Sequence, residues 1–431
     1  MSKRKNDHYD DRYDDYDDGY NDGYNEDYDD GYDDGYEGPY DEDYDDGYDD
    51  EDDYVPPRRT GGSGGGTRVK KKISANAKWG IALIVELILI VGLIFALVRS
   101  YVHNKYSLLD VREIKEEDLK INDGLDKEVL KGYTNIALFG VDARDANLGA
   151  GNRSDAILIA SINNDTKKVK VISVYRDTLL EVPDSDGAYT VKVNSAYAYG
   201  GPELAIQTLN SNLDLNITEY ITINWEGLTR AIDAIGGVQV HVEEEELDML
   251  NACLKEQISV TGIYSEGVFS TGDLILNGAQ ATAYSRIRST GRGDITRTER
   301  QREVLGSMIN KMKKSDLGTI DKVIDEIFPY ISTSITEDEM YDLASSLLSY
   351  ALDESLGFPM RFGYYSSDTK GSCIAPQNLT ENVTALQRFL FGNANYLPTQ
   401  NVRRINDQLV NETGFGSEGT ILLPSEESTE P

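Results

Sequence analysis

Three short apolar runs constrain the fold of this 431-residue chain more than any other feature. Residues 136–141, 156–162 and 169–174 have the length and apolar character of buried strands. Further along the chain, segments with helical spacing of apolar residues alternate with strand-like segments, an order typical of layered α/β domains. The sequence predicts helices at 203–213, 225–235, 277–284, 298–312 and 336–352, and further strands at 220–223, 238–242 and 361–365.

Charged side chains collect where the three apolar runs begin and end. They are Asp142 and Arg144 after the first run, Arg153 and Asp155 before the second, and Arg176 after the third. In open α/β sheets, ligands bind at the carboxyl ends of the strands. A single Asp–Arg pair would be ordinary surface pairing, but its recurrence at three strand ends indicates a site.

The stretch 284–301, YSRIRSTGRGDITRTERQ, concentrates cations in a chain whose net charge is −34. Guanidinium groups bind phosphate oxygens in bidentate fashion and do not lose their charge. The stretch therefore predicts a site for a polyanionic group such as phosphate rather than a solvated charge run. Its five arginines are Arg286, Arg288, Arg292, Arg297 and Arg300.

The first 54 residues are an acidic, low-complexity repeat. They hold 25 Asp and Glu against 4 Lys and Arg, and tyrosines recur at every fourth position from Tyr16 to Tyr48. Glycines and adjacent carboxylates disfavour a helix, so residues 1–54 are predicted to be a disordered tail. Most of the acidity lies in this tail and says little about the ligand of the folded part. No nucleic-acid partner is expected.

A change of charge and polarity follows the tail. Residues 55–78 form a basic, Gly-rich linker, and residues 79–98 are an apolar run of about the 20 residues that cross a bilayer. Basic residues before the run outnumber those after it, which places the N-terminus in the cytoplasm and the remainder outside the cell membrane. Residues 99–131 are predicted to be an extracellular stalk, 132–395 the folded domain, and 396–431 a disordered tail.

Histidines and cysteines are few. The sequence contains no His cluster and no Cys–His pair, and His241, at the end of a predicted strand, is assigned a structural role. Cys253 and Cys373 lie on the predicted extracellular side, and both a disulfide and two free thiols remain open.

Six separated motifs of the chain resemble, in order and spacing, those of the LytR–CpsA–Psr family. They are NIALFGVDAR, GNRSD, ISVYRDT, KVNSAYAYGG, IDAIGGVQV and YSRIRSTGRGDITRTERQ. The resemblance covers roughly residues 132–314 and extends more loosely to about 352. It implies a layered α/β/α domain with a central mixed sheet, preceded by one transmembrane helix and a disordered tail.

The activity implied by this resemblance is that of a membrane-anchored extracellular transferase. Such enzymes take a glycopolymer from a polyprenyl-pyrophosphate carrier and join it to peptidoglycan through a phosphodiester, with Mg²⁺ assisting. The residues agree with this chemistry, because phosphoryl transfer is catalysed mainly by positioning and electrostatic stabilisation. Mg²⁺ is commonly held by one or two carboxylates together with substrate phosphates.

Residue roles also follow from the resemblance. Asp142 and Asp155 correspond to the magnesium-binding carboxylates. The implied pyrophosphate ligands are Arg153, Arg176, Arg286, Arg288 and Arg297. Asp294 and Gln301 match further polar positions of the catalytic site, alongside Arg286, Arg288 and Arg297. Arg292 and Arg300 match no site position of the family.

Two other functions remain open from the residues alone. One is a polyprenyl-pyrophosphate hydrolase, in which water replaces the wall hydroxyl as acceptor. The other is a non-enzymatic regulator of the cell envelope that binds lipid phosphate.

A polyprenyl chain also predicts a feature of the fold. Burial of each methylene contributes about 0.8 kcal/mol, so we expect an apolar cavity beside the Arg and Asp residues. Its walls are expected to come from the sheet and from the helices predicted at 203–213 and 225–235. The side chains expected there are Leu204, Ile206, Leu209, Leu228 and Ile232.

Overall fold

The computed structural model describes most of the chain after residue 74. It covers residues 75–143, 147–184, 187–288, 293–346 and 349–416, with Ile421 and Leu423. In the first helix, side chains are described for residues 89–93 and from 96 onward. The predicted tail 1–54, nearly all of the linker 55–78, Arg144 and Arg292 lie outside the described residues.

Helices and strands alternate along the described chain. The helices are α1 Ala75–Tyr106, α2 Lys127–Lys131, α3 Asn194–Leu213, α4 Trp225–Ala234, α5 Leu247–Thr261, α6 Gly278–Tyr284, α7 Asp294–Met312, α8 Leu317–Ile327, α9 Glu337–Ser345, α10 Leu379–Phe391 and α11 Gln400–Thr413. The strands are β1 Asp110–Val111, β2 Tyr133–Val141, β3 Ser154–Asn163, β4 Lys168–Val174, β5 Leu179–Val182, β6 Tyr189–Lys192, β7 Glu219–Asn224, β8 Val238–Val242, β9 Gly272–Leu276, β10 Ile331–Thr333, β11 Ala351–Phe358, β12 Phe362–Ser367 and β13 Gly371–Pro376.

Seven strands form the central mixed sheet in the order β1-β10-β7-β2-β3-β4-β11. Strand β2 pairs antiparallel with β3 and parallel with β7, and β3 pairs antiparallel with β4. The carboxyl ends of β2, β4 and β7 therefore lie at the same edge of the sheet as the start of β3. The three predicted apolar strands are confirmed as β2, β3 and β4.

Helices cover both faces of the sheet. Ala137, Phe139 and Val141 of β2 pack in one core with residues of α3, α10 and α11. Leu138 and Gly140, the alternate residues of the same strand, face α4 and α7. Side chains of a strand alternate between faces, so β2 is buried on both sides. The predicted layered α/β arrangement with a central mixed sheet is confirmed.

Local signals set several helix ends near the site. The Asn224 side chain accepts the Gly227 backbone N–H at the start of α4, and Asn277 forms a capping box with Gln280 at the start of α6. After α4, Gly236 and Gly237 take φ values of 76° and 85°, which end the helix as their sequence predicts. The helices predicted at 203–213, 225–235, 277–284 and 298–312 are confirmed.

Helix α3 starts earlier than predicted and contains a kink. It begins at Asn194, and Gly200 and Gly201 are non-helical before Pro202. Because Pro202 cannot donate an intrahelical hydrogen bond, the helix divides at this point. The segment predicted at 203–213 is the second half of α3.

The prediction of a stalk at 99–131 is wrong. Lys105 Nζ lies 2.6 Å from Asp321 and 2.5 Å from Asp325 of α8, and Arg99 pairs with Asp338 at 2.7 Å. Strand β1 joins the edge of the central sheet by pairing with β10, and Leu119 and Leu130 are buried in the core. A two-residue strand and isolated leucines give no periodic signal, which is why the sequence indicated a polar spacer.

Two predictions near the C-terminus are also corrected, and a predicted strand there is confirmed with an added partner. The helix predicted at 336–352 ends at Ser345, and Ala351 and Leu352 belong to β11. The strand predicted at 361–365 is β12, but β13 follows it and pairs with it in a hairpin. The predicted disordered tail at 396–431 contains α11, whose Val402, Ile405 and Leu409 are buried.

A helix with enough consecutive apolar residues to traverse a bilayer is not found among the described residues. The predicted span 79–98 falls within α1, where the side chains of residues 79–88 lie outside the described set. Cys253 is half-buried and Cys373 is buried, and both are free thiols.

Candidate active site

Asp155, at the start of β3, holds two of the predicted arginines. Its Oδ1 contacts Nη1 of Arg176, which follows β4, and its Oδ2 lies 3.3 Å from Nη2 of Arg288. Asp155 and Arg176 are largely buried, whereas the Arg288 side chain is 50% exposed. The antiparallel pairing of β3 with β4 places Asp155 and Arg176 at the same sheet edge, as the strand ends predicted.

A second carboxylate, Asp294, joins Arg176 to Arg297. Both Asp294 and Arg297 lie on the first turn of α7, and the Arg297 side chain, which contacts Asp294, is only 2% exposed. Arg176 Nε lies 3.6 Å from Asp294 Oδ1. Burial raises the pKa of Asp294 and lowers the pKa of Arg297 to about 10, so the Arg297 guanidinium remains charged at neutral pH.

Several buried donors of this site have no hydrogen-bond partner among the described residues. Nε and Nη1 of Arg297 and Nε of Arg176 make no hydrogen bond to any described residue. Buried polar groups are nearly always satisfied in folded proteins, so these guanidinium donors are suited to an anionic ligand that completes them. A phosphate group offers the acceptor oxygens that these donors lack.

Arg286 is held from three directions. Its Nη1 donates to Gln257 Oε1 at 3.0 Å, and its Nη2 lies 3.1 Å from Glu256 on α5. The guanidinium lies 5.4 Å from the centroid of the Trp225 ring, within the range of a cation–π contact. These contacts fix Arg286 after α6, close to the start of α4.

Gln301 connects the arginine-bearing loop to the sheet. Its Nε2 lies 3.5 Å from the backbone oxygens of both Asp155 and Ser285, so these are long contacts. Gln301 also lines an apolar cavity behind the polar groups. It therefore lies at the boundary between the charged and the apolar parts of the site.

Asp142 and Arg153 flank the gap between β2 and β3. Both side chains are exposed, and the Asp142 backbone N–H donates to the Arg153 carbonyl at 3.4 Å. Because Val141 pairs with Ser154, Asp142 lies at the same sheet edge as Asp155. No cluster of three or more His, Cys, Asp or Glu side chains suited to a metal occurs among the described residues. Arg144 and Arg292 lie outside the described part of the chain.

The cavity behind this cluster is almost entirely apolar. It has a volume of about 180 Å³ and is lined by Leu138 and Leu158 of the sheet, Trp225 and Leu228 of α4, and Leu305 of α7, among others. A second cavity of about 370 Å³ lies beside it and shares Leu138, Leu305 and Met308. The larger cavity alone falls within the roughly 300–1,000 Å³ of typical ligand pockets.

The expected apolar cavity is present, but its predicted walls are only partly right. Leu228 lines the smaller cavity. Leu204, Ile206 and Leu209 of α3 instead pack in the core on the opposite face of the sheet. Ile232 is buried within the core formed by α4, α5 and α6. The second cavity is closed by α7 and α8, through residues such as Ile309, Ile320 and Val323.

Sequence reasoning missed residues that support the site. Trp225 and Gln257 contact Arg286, and Glu246 pairs with Arg300 in the interior. The sequence predicts a helix that starts at Trp225 but does not link this residue to the arginines. Its position is the one available signal, because Trp225 directly follows a strand whose carboxyl end lies at the site edge.

Residues 99–361, more than half of the chain, match the model of the LytR_cpsA_psr family. A relative from Oceanobacillus iheyensis, named polyisoprenyl-teichoic acid–peptidoglycan teichoic acid transferase TagU, is 34% identical over 292 residues. The match covers 64% of this chain and 83% of the relative. A Bacillus mycoides protein of the same name is 30% identical over 251 residues, which cover 56% of this chain and 76% of that protein.

Solved structures share the fold. A Streptococcus agalactiae protein superposes with a TM-score of 0.53 at 24% identity, covering 64% of this chain and 93% of its own. A protein from Enterococcus faecalis, described as a transcriptional regulator, gives a TM-score of 0.50 at 25% identity, covering 68% of this chain and 98% of its own.

Proposed function

This chain belongs to the LytR_cpsA_psr family, and on that premise we propose that it is a membrane-anchored phosphotransferase. It moves a glycopolymer from a polyprenyl-pyrophosphate carrier to peptidoglycan and forms a phosphodiester link. The curated relatives named above carry names that describe this reaction for teichoic acid. The glycopolymer of this protein is a teichoic acid or another phosphate-linked wall or capsule polymer.

One observation carries the proposal: residues that contact Arg286 and Asp155 also line an apolar cavity. Trp225 lies beneath the Arg286 guanidinium and lines the cavity, and so does Gln301, whose Nε2 lies 3.5 Å from the Asp155 backbone oxygen. A substrate with a polyanionic head and a long hydrocarbon tail fits this junction. A soluble sugar phosphate would leave the cavity empty, whereas each buried methylene of a polyprenyl tail contributes about 0.8 kcal/mol.

The arginines supply the charge stabilisation that transfer needs. The acceptor hydroxyl oxygen forms the new bond to the phosphorus that bears the glycan, and the bridging P–O bond breaks. Polyprenyl monophosphate leaves, and the hydroxyl proton is released to solvent. Arg176, Arg288 and Arg297 face the charge that develops on the leaving phosphate, and their contacts with Asp155 and Asp294 hold them in place beforehand.

Mg²⁺ fits the donor set at the ends of β2 and β3. Asp142 and Asp155 would hold it, because two carboxylates plus substrate phosphates are a common magnesium environment. Asp155 contacts two arginines, and the exposed Asp142 adjoins it at the sheet edge. When bound, the ion would neutralise charge on the pyrophosphate oxygens.

The membrane anchor is α1, which contains the apolar run 79–98. The basic residues before this run support a cytoplasmic N-terminus and an extracellular domain. The contacts of Lys105 with Asp321 and Asp325 join the end of α1 directly to α8. The domain would therefore be held close to the membrane rather than carried on a long spacer.

The test is a transfer assay on the full-length protein in nanodiscs. Lipid-linked glycan is supplied with and without peptidoglycan, and the products are separated into wall-linked glycan, free glycan phosphate and unreacted lipid. Wall-linked glycan that appears only with peptidoglycan is the expected result. Release of free glycan phosphate regardless of peptidoglycan would identify a hydrolase, and binding without turnover would identify a regulator.

A further inference from the structure

A buried ion pair lies behind the segment that carries Arg286 and Arg288. Arg300 Nε and Nη2 lie 2.7 and 2.5 Å from Oε1 of Glu246, and the two residues are 3% and 5% exposed. Desolvating two charges is costly, and apolar residues of similar volume often give equal or greater stability. Stability alone therefore does not explain this pair.

The third contact of Arg300 points to its role. Its Nη1 donates a 3.0 Å hydrogen bond to the backbone carbonyl of Ile287, the residue between Arg286 and Arg288. The Ile287 side chain is fully buried, and the Arg300 guanidinium lies 5.7 Å from the centroid of the Tyr284 ring. Arg300 thus holds the peptide that joins the two phosphate-binding arginines.

Glu246 is itself fixed on its other side. Its Oε2 accepts the Glu243 backbone N–H at 2.9 Å, directly before α5. The same helix carries Gln257, whose Oε1 accepts from Arg286. Helix α5 and the residues before it therefore control both the Arg286 side chain and, through Arg300, the Ile287 carbonyl.

We propose that Glu246 and Arg300 are positioning residues that set the separation of the Arg286 and Arg288 guanidinium groups and so select a pyrophosphate over a monophosphate. This inference rests on the proposed function. A pyrophosphate presents two phosphates at the fixed spacing of a P–O–P link. Two cationic groups held at a matching separation engage both phosphates, whereas a monophosphate engages only one of the groups at full strength.

The experiment removes the ion pair without leaving a buried charge. The double variant Glu246→Leu, Arg300→Met replaces it with apolar side chains and leaves no unpaired charge, so the protein should still fold. Its melting temperature should fall only modestly, because the Ile287 carbonyl and the Glu243 N–H each lose one hydrogen bond. We expect kcat to fall by about 10²-fold, as misplacement of a reacting group by about 1 Å can cause. We also expect loss of a preference for polyprenyl pyrophosphate over polyprenyl monophosphate that is about 10-fold or more in the wild-type protein.

A matched control is available on the other face of the sheet. Glu181 is also buried and pairs with Arg404 of α11, with Nη1 2.8 Å from Oε2, and the Arg404 side chain is 51% exposed. The variant Glu181→Leu, Arg404→Met removes an Arg–Glu pair with one buried partner and should change neither kcat nor the preference between the two lipids. A purely structural role for Glu246 and Arg300 would make the two double variants behave alike.

If the double variant does not fold, a single substitution tests whether Arg300 positions the two phosphate-binding arginines. Arg300→Lys keeps a positive charge beside Glu246 but lacks the planar fork that reaches Ile287 as well. It should lower the lipid preference with little change in melting temperature. A folded variant with the kcat and the lipid preference of the wild-type protein would overturn this inference but not the proposed function. A wild-type protein that binds neither lipid would overturn the proposed function too.

Discussion

Nη2 of Arg288 lies 3.3 Å from Oδ2 of Asp155, so the start of the central strand β3 holds an arginine of a distant segment. Asp155 also contacts Arg176 at the end of the neighbouring strand. One carboxylate therefore organises two cations from separate elements. Cationic groups that are fixed in advance need little reorganisation during phosphoryl transfer, which makes their stabilisation of developing charge more effective.

Arg286→Ala and Arg288→Ala should each reduce transfer by roughly 10²-fold or more while the fold remains intact. Each substitution removes a fixed positive charge from the position proposed for the pyrophosphate. Initial rates with lipid-linked glycan and circular dichroism melting curves measure the two effects separately.

Arg99→Ala provides the control for these variants. Arg99, like Arg288, is about half exposed, but it lies on α1 and pairs with Asp338 of α9 at 2.7 Å, not with a residue of the site. Its removal should leave transfer unchanged. A loss equal to that of Arg288→Ala would show that the assay reports general destabilisation.

Removal of divalent metal should abolish transfer, and Mg²⁺ should restore it. The expected ligands are Asp142 and Asp155, at the ends of adjacent strands. The double variant Asp142→Ala, Asp155→Ala should lose most of its magnesium affinity in titration calorimetry with polyprenyl pyrophosphate present. Unchanged magnesium affinity in a folded double variant would refute this assignment.

The strands and their charged ends could be predicted because their signals are local. Residues 136–141 and 156–162 are nearly continuous apolar runs, and such runs fit strands buried on both faces. Strand β1 could not be found this way, since it has only Asp110 and Val111 and exists through pairing with β10. The prediction of a stalk at 99–131 was wrong for this reason.

The roles of individual arginines were less accessible to sequence reasoning. Arg297 and Arg300 are three residues apart on α7, and only the family resemblance distinguishes them in the sequence. The role of Arg300 depends on Glu246, which is far away in the chain and forms an ion pair with it. The predicted walls of the cavity were partly wrong for a similar reason, because local periodicity does not say which face of the sheet a helix covers. Helix α3 covers the face opposite the cavity.

His241 should act as a small pH-dependent contributor to stability. Its Nδ1 lies 2.7 Å from Asp273 Oδ1, and this hydrogen bond raises the pKa of His241. A raised pKa in the folded state means that the contribution is fully present below the unfolded value near 6.5. It is lost as the pH rises through the folded pKa.

Asp273→Asn tests this effect directly. The His241 pKa, followed by NMR, should fall towards its ordinary value, and the variant should lose stability relative to wild type at pH 6 but not at pH 9. Transfer activity should be unaffected, since His241 is assigned a structural role. An unchanged His241 pKa in the variant would rule out Asp273 as the cause.

Protease treatment of intact cells should remove the domain that follows residue 100 and leave the acidic Tyr repeat at 1–54 protected. This outcome follows from the basic residues that precede the apolar run 79–98. Antibodies against each segment, with permeabilised cells as the control, provide the measurement. Protection of the domain and loss of the repeat would reverse the topology and remove peptidoglycan as an acceptor.

Ala160→Phe should block the larger apolar cavity without destabilising the protein. Ala160 lines that cavity from β3, so the added ring fills space that is empty of protein atoms. We expect an unchanged or higher melting temperature and a transfer rate reduced by about 10-fold or more, because less hydrocarbon can be buried.

Ala137→Phe is the contrasting variant, since Ala137 is fully buried on the opposite face of the neighbouring strand. Overpacking there should cost about 1–3 kcal/mol of unfolding free energy. Full transfer activity in a stable Ala160→Phe protein would show that the polyprenyl chain does not occupy this cavity.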